Sequence, residues 1–78
     1  MNDFLEKFKQ MSKEEVEQTL KSCSDEEIKI IADAYFRGRD GDEYNPELTY
    51  KCYQNVNNIR EKLKCVAFDT LIGVINRV

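Results

Sequence analysis

Two stretches of this 78-residue chain gather the side chains that carry most recognition chemistry. The first, Arg37-Gly38-Arg39-Asp40-Gly41-Asp42-Glu43-Tyr44, sets two guanidinium groups, three carboxylates and a phenol around two glycines. Its carboxylates invite a calcium reading. An EF-hand loop, however, needs oxygen ligands at positions 1, 3, 5, 7, 9 and 12 with glycine at 6. Counted from Asp40, position 5 is Tyr44 and position 6 is Asn45, so the template fails and no metal is expected. Arg and Tyr are the residues favoured at interaction hot spots. The functional expectation for Arg37, Arg39, Asp40, Asp42 and Tyr44 is therefore contact with a partner protein. The plainer alternative is a solvated connection between two helices.

The second stretch spaces Lys51, Asn55, Asn58 and Lys62 by 4, 3 and 4, a polar stripe on one helix flanked by Gln54 and Arg60. Asn, Gln, Lys and Arg read base edges and phosphates, so a nucleic-acid-binding regulator is the alternative function. Two points count against it. An amphipathic helix needs a polar face in any case, and the net charge of −3 is unlike the basic balance of nucleic-acid-binding domains. Of the four tyrosines, Tyr35 is expected in the core, and Tyr50 and Tyr53 at its rim.

Catalytic parts are scarce. The chain has no histidine, which excludes histidine-based triads, histidine general bases and histidine-containing zinc sites. Neither GxxxxGK[ST] nor GxGxxG is present. Cys23, Cys52 and Cys65 form no CxxC pair, and three is a poor number for a disulfide framework. Each falls on an apolar stripe of an expected helix, where cysteine behaves as a small buried hydrophobe. Three buried free thiols suit a reducing compartment, so the cytoplasm is expected. An enzyme is not expected, and no cofactor is implied.

These residues have to be positioned by helices. Met11-Ser12-Lys13-Glu14-Glu15-Val16 is echoed twelve residues later by Cys23-Ser24-Asp25-Glu26-Glu27-Ile28. Each copy is a capping box, in which Ser accepts from the N–H three residues on and Glu reaches back to the Ser N–H. The spacing of Met11 with Val16, and of Cys23 with Ile28, is that of a hydrophobic staple. Ahead of them, Phe4, Leu5, Phe8 and Met11 predict a short first helix behind Asn2-Asp3. The helix opened by Ser24 is apolar over a broad arc, through Ile28, Ile31, Ala32 and Tyr35, which predicts a central position. Gly38 is expected to end it, and Asn45-Pro46 to start the next.

From Glu47 the steps of three and four continue through Leu48, Cys52, Val56, Ile59, Leu63 and Val66. An unbroken helix from Glu47 to Asn76 would be about 45 Å long, whereas a compact chain of this size is only about 30 Å across. A break near Phe68–Thr70 resolves the conflict, with Asp69 capping a short terminal helix. A homodimer through the apolar C-terminal segment is the alternative to the expected monomer. A strand over residues 70–75 would have no second strand to pair with.

The expectation is one all-α domain over residues 1–78. It is a small bundle of four to five helices, three short ones and then a long one with a break or a short terminal helix. The N-terminal segment is charged and unlike a signal peptide, and no stretch reaches the roughly 20 apolar residues of a membrane span. Charge is uneven: residues 1–47 hold 13 acids and 7 bases (13 − 7, net −6), and residues 48–78 hold 2 acids and 5 bases (5 − 2, net +3). Two helical faces that attract each other would explain that. A stable scaffold without catalytic parts works through its surface. The leading functional expectation is a small cytosolic protein-interaction module, an adaptor, inhibitor or modulator, of a size and acidity suited to a viral or mobile-element protein acting on its host.

Overall fold

The computed structural model describes residues 3–78, and among them every regular element is helical. Six α-helices follow in order: α1 (Asp3–Lys9), α2 (Lys13–Ser22), α3 (Asp25–Asp40), α4 (Pro46–Tyr53), α5 (Val56–Lys64) and α6 (Phe68–Ile75). A single 3-10 turn, Gly41–Glu43, joins α3 to α4. The all-α class stands, with six helices in place of the four to five expected. Asn2, part of the expected start of the first helix, lies outside the described residues.

Local sequence sets the first helix starts. Ser12 Oγ accepts from the Glu15 N–H at 3.2 Å, and the Ser12 N–H donates to Glu15 Oε1 at 3.1 Å. Ser24 and Glu27 repeat the exchange at 3.1 and 3.0 Å. Each box satisfies N–H groups that a helix start otherwise leaves unpaired.

The core forms around α3, which packs on α1, α5 and α6 and buries Ile28, Ile31, Ala32, Ala34, Tyr35 and Phe36. Phe8, Val16, Leu20, Ile59, Leu63, Leu71, Val74 and Ile75 complete it. Full burial of one such Leu, Ile or Phe is worth about 1.5–3 kcal/mol. No polar side chain is buried among the described residues.

Gly38 does not end α3. The helix runs on to Asp40, and Gly41, at φ 63°, takes the cap. Gly38 serves a different purpose. A Cβ there would collide with the Val74 carbonyl oxygen and stand 3.0 Å from Val74 Cγ1. A bare α-carbon lets α6 lie close against α3.

The expected long helix breaks twice. The second break, at residues 65–67, lies just ahead of the expected Phe68–Thr70, and α6 folds back to bury Leu71, Val74 and Ile75. Asp69 does not cap it. Ala67 holds the cap position without a side-chain bond, and Asp69 sits in the first turn, where its charge suits the positive end of the helix dipole.

The first break, at Gln54, is not signalled by the apolar spacing. Gln54 has φ 72° and ψ −39°, and the Asn55 N–H donates to the Tyr53 carbonyl at 2.9 Å. This is a γ-turn of the rare, strained hand. Asn55 then opens α5 by accepting from the Asn58 N–H at 2.9 Å, while Asn58 Nδ2 donates to the Tyr53 carbonyl at 2.6 Å.

The turn re-aims α4. On a straight helix, Leu48 and Ile59 would share a face to within about 20°, and Tyr50 would lie opposite them. In the structure Ile59 is buried, Tyr50 and Tyr53 pack against the core, and Leu48 is 61% exposed. The 30 × 24 × 24 Å molecule has no room for the unbroken helix.

Candidate functional site

The C-terminal end of α3, the 3-10 turn and α4 form one corner, and the residues expected to meet a partner lie there. Arg37 forks onto Asp33 one helical turn back, with Nη2 at 3.2 Å and Nε at 3.4 Å from its carboxylate oxygens. The Tyr44 hydroxyl donates to Asp33 Oδ1 at 3.0 Å, and the Arg37 guanidinium lies 5.1 Å from the Tyr44 ring centroid. Tyr44 thereby ties the chain after the 3-10 turn back to α3. Burial first, and the Asp33 carboxylate second, push the Tyr44 phenol well above its ordinary pKa. The same two causes raise Tyr50. The bond to Asp33 raises Arg37.

Arg39 makes a second fork, to Asp40, at 2.9 and 3.2 Å. Its guanidinium also lies 4.8 Å from the Phe36 ring centroid and 5.8 Å from that of Tyr35, a cation–π arrangement. The Arg39 bond lowers Asp40 and raises Arg39 in return. Arg37, Arg39, Asp40 and Tyr44 are thus engaged inside the corner. The Asp42 side chain is exposed and makes no ion pair or hydrogen bond, and the same holds for the side chains of Glu43 and Glu47.

Beside these carboxylates a shallow pocket of about 320 Å³ opens between the turn and α4, lined by Arg39, Asp40, Glu43, Leu48, Cys52 and Tyr53. Leu48 is the most exposed of the large hydrophobic residues described, and α4 buries none of its own residues fully. The apolar spacing put Leu48 on one stripe with Val56 and Ile59. The signal that could have moved it is the capping pair Asn55 and Asn58, which marks a helix start inside the supposed long helix. A larger groove of about 590 Å³ between α1 and α3 has charged rims of both signs, and of its apolar residues Leu5 and Ile30 are half-buried, Ala34 is buried and Val78 is exposed.

Lys51, Asn55, Asn58 and Lys62 do not share one helix. Lys51 is on α4, Asn55 is the cap residue of α5, and Asn58 and Lys62 lie within α5. The Asn55 and Asn58 side chains are both engaged in the turn.

The expected burial of three thiols is corrected for two of them. Cys52 and Cys65 are exposed, and Cys23 is half-buried. The γ-turn leaves Cys52 on the outward side of α4, and Cys65 follows the last residue of α5. Burial pushes the Cys23 thiol up, while Arg60, with Nη1 3.6 Å from Sγ, pulls the other way. No group of three or more metal-ligating side chains occurs among the described residues. No described helix is long and apolar enough to cross a membrane. Comparison with known proteins finds no matching family model, curated protein or solved structure.

Proposed function

We propose that this chain is a protein-interaction module, a non-enzymatic adaptor, inhibitor or modulator, and that the α3–α4 corner is its working surface. The observation that carries the reading is Leu48, turned outward beside a pocket at 61% exposure, on a helix that contributes nothing fully buried. Solvent-exposed apolar anchors rimmed by polar groups are characteristic of interaction sites. The rim supplies the specificity. Asp42, Glu43 and Glu47 are unpaired carboxylates, whereas Arg37 and Arg39 are already neutralised by Asp33 and Asp40. The complementary partner is a protein surface with an apolar side chain ringed by Lys or Arg. The two forks and the Tyr44 strut hold the corner in shape before binding, which lowers the ordering cost. Three thiols without a disulfide, two of them exposed, suit a cytoplasmic setting.

The test is capture from source-cell lysate on the immobilised chain, followed by titration of the captured protein in purified form. Leu48→Glu, and Asp42→Lys with Glu43→Lys, should each abolish capture without lowering the melting temperature. Lys62→Glu should leave it intact. Binding that survives the corner substitutions, fails on Lys51→Glu and Lys62→Glu, and weakens steeply with salt would replace this reading with the nucleic-acid one.

A further inference from the structure

The strained turn at Gln54 separates two helices that the apolar spacing runs together as one. We propose that two copies of this chain exchange their α5–α6 segments about Gln54, giving a two-fold dimer in which α4 and α5 run on as a single helix. This inference stands apart from the partner reading, and its test reads a different quantity.

Three observations carry it. The first is the hinge. Gln54 is the one described residue other than glycine with positive φ, and a side chain with a Cβ holds that conformation under strain. What holds the turn closed is local: the Asn55 cap and the Asn58 amide on the Tyr53 carbonyl, all on exposed or half-buried residues. Straightening relieves Gln54 and returns the Tyr53 carbonyl to the helical ladder.

The second is what opening leaves intact. α4 keeps its place beside α3, where the Tyr53 ring lies 5.5 Å from that of Phe36. α5 and α6 make their main contacts with α2 and α3. In the exchanged dimer Ile59, Leu63, Leu71 and Val74 enter the partner's core as they enter their own, and Arg60 meets the partner copy's α2 end in the same way. Exchange of an identical element remakes every such contact, which is why it is a low-cost route to dimers.

The third is what opening adds. A straight helix over residues 46–64 brings Leu48 and Cys52 into line with Val56 and Ile59. The stripe that the monomer splits becomes continuous. Two such helices cross antiparallel about residues 54–55. The same arrangement sets Glu47 of one helix level with Lys62 of the other, opposite charges on exposed or half-buried residues.

Two substitutions pull the hinge in opposite directions. Gln54→Gly accepts positive φ freely and favours the closed monomer. Gln54→Ala does not, and alanine is the best helix former. Light scattering behind size exclusion, from micromolar to millimolar protein, should show a dimer fraction rising with concentration in the parent. The midpoint should move roughly tenfold or more to higher concentration in Gln54→Gly and to lower concentration in Gln54→Ala, because each dimer relieves two hinges. Isolated dimer, diluted below the midpoint, should decay only at the rate of unfolding, since release requires both cores to open. A parent and a Gln54→Ala variant that both stay monomeric throughout overturn the proposal. So does a dimer that falls apart within the mixing time, which would be a face-to-face contact through Leu48.

Discussion

Tyr44 ties the chain after the 3-10 turn to Asp33 through its hydroxyl, and its proton offers a direct handle. Its folded pKa lies above the unfolded value of 10, from burial and the Asp33 carboxylate. The folded chain therefore keeps the proton to higher pH than the unfolded chain. The contribution of the neutral phenol is complete below pH 10 and is lost as pH rises above it. Tyr44→Phe should cost about 1 kcal/mol at neutral pH, one hydrogen bond to a half-exposed partner. Above pH 10 the parent should fall faster, so the two melting temperatures converge. Parallel curves through that range would refute the assignment. The thiols give a second check at this scale. Under native conditions Cys52 and Cys65 should react with a thiol reagent at the rate of open side chains. Cys23, half-buried with its thiol pushed up, should lag until denaturant is added. Three groups reacting alike in the native state would contradict the burial seen here. The sequence stripe put Cys52 and Cys65 inside because it was drawn through two helix breaks, and a side chain's face is known only when its helix's ends are.

At the scale of elements, two glycines separate the two uses of a missing Cβ. Gly73, in α6, has nothing within 4 Å of a built Cβ. Gly73→Ala should stabilise by about 0.5–1 kcal/mol, the helix-propensity difference. Gly38→Ala has the same propensity gain available, yet its Cβ meets the Val74 backbone. Forcing α6 away should cost about 1–3 kcal/mol and outweigh that gain. The signs should be opposite in chemical denaturation, and a stabilised Gly38→Ala would show that the two helices separate without loss. The same pair explains what was legible. The capping boxes at Ser12 and Ser24 were readable because all their partners lie within four residues. Gly38 looked like a helix stop because sequence does not distinguish positive φ from close approach, and Gly41 takes the cap three residues later. Gln54 was harder to read. Glutamine has no preference for positive φ, so the local marks of the turn are the caps beside it, Asn55 and Asn58, which lie within an otherwise continuous apolar spacing. The pocket beside Leu48 depends on that turn, so the corner's charged residues were named from sequence, while its apolar anchor was missed along with the Asn55 cap.

Over the whole molecule, the acidic N-terminal and basic C-terminal halves suggested mutual attraction, and the structure shows how little of it is ion pairing. Among the described residues one ion pair joins the halves, Arg60 to Asp25 at 3.4 Å, and its Asp25 side chain is 67% exposed. An exposed pair of that kind is worth about 0–1 kcal/mol. The Arg60 side chain itself is only 14% exposed. Its guanidinium donates to the Leu20 carbonyl and to the Cys23 carbonyl, each at 2.8 Å. Those carbonyls belong to the C-terminal end of α2, where unpaired oxygens and the negative end of the dipole both favour a cation. Arg60 therefore fastens α5 to the α2–α3 junction mainly through backbone oxygens some forty residues away in sequence. No local pattern could have announced this, and the sequence spacing sets the residue only at the flank of a polar stripe. Arg60→Ala should cost about 1.5–3 kcal/mol, the range for hydrogen bonds to a charged group. Arg60→Lys should fall between, because an ammonium lacks the planar fork that reaches both carbonyls. Asp25→Ala should cost well under half of the Arg60→Ala loss. The Arg60 effect should also change little with salt, since a half-buried cation on carbonyl oxygens is poorly screened. If Asp25→Ala matched Arg60→Ala in denaturant melts, or if both effects vanished in high salt, attraction between the charged halves would be the better account of how α5 is held.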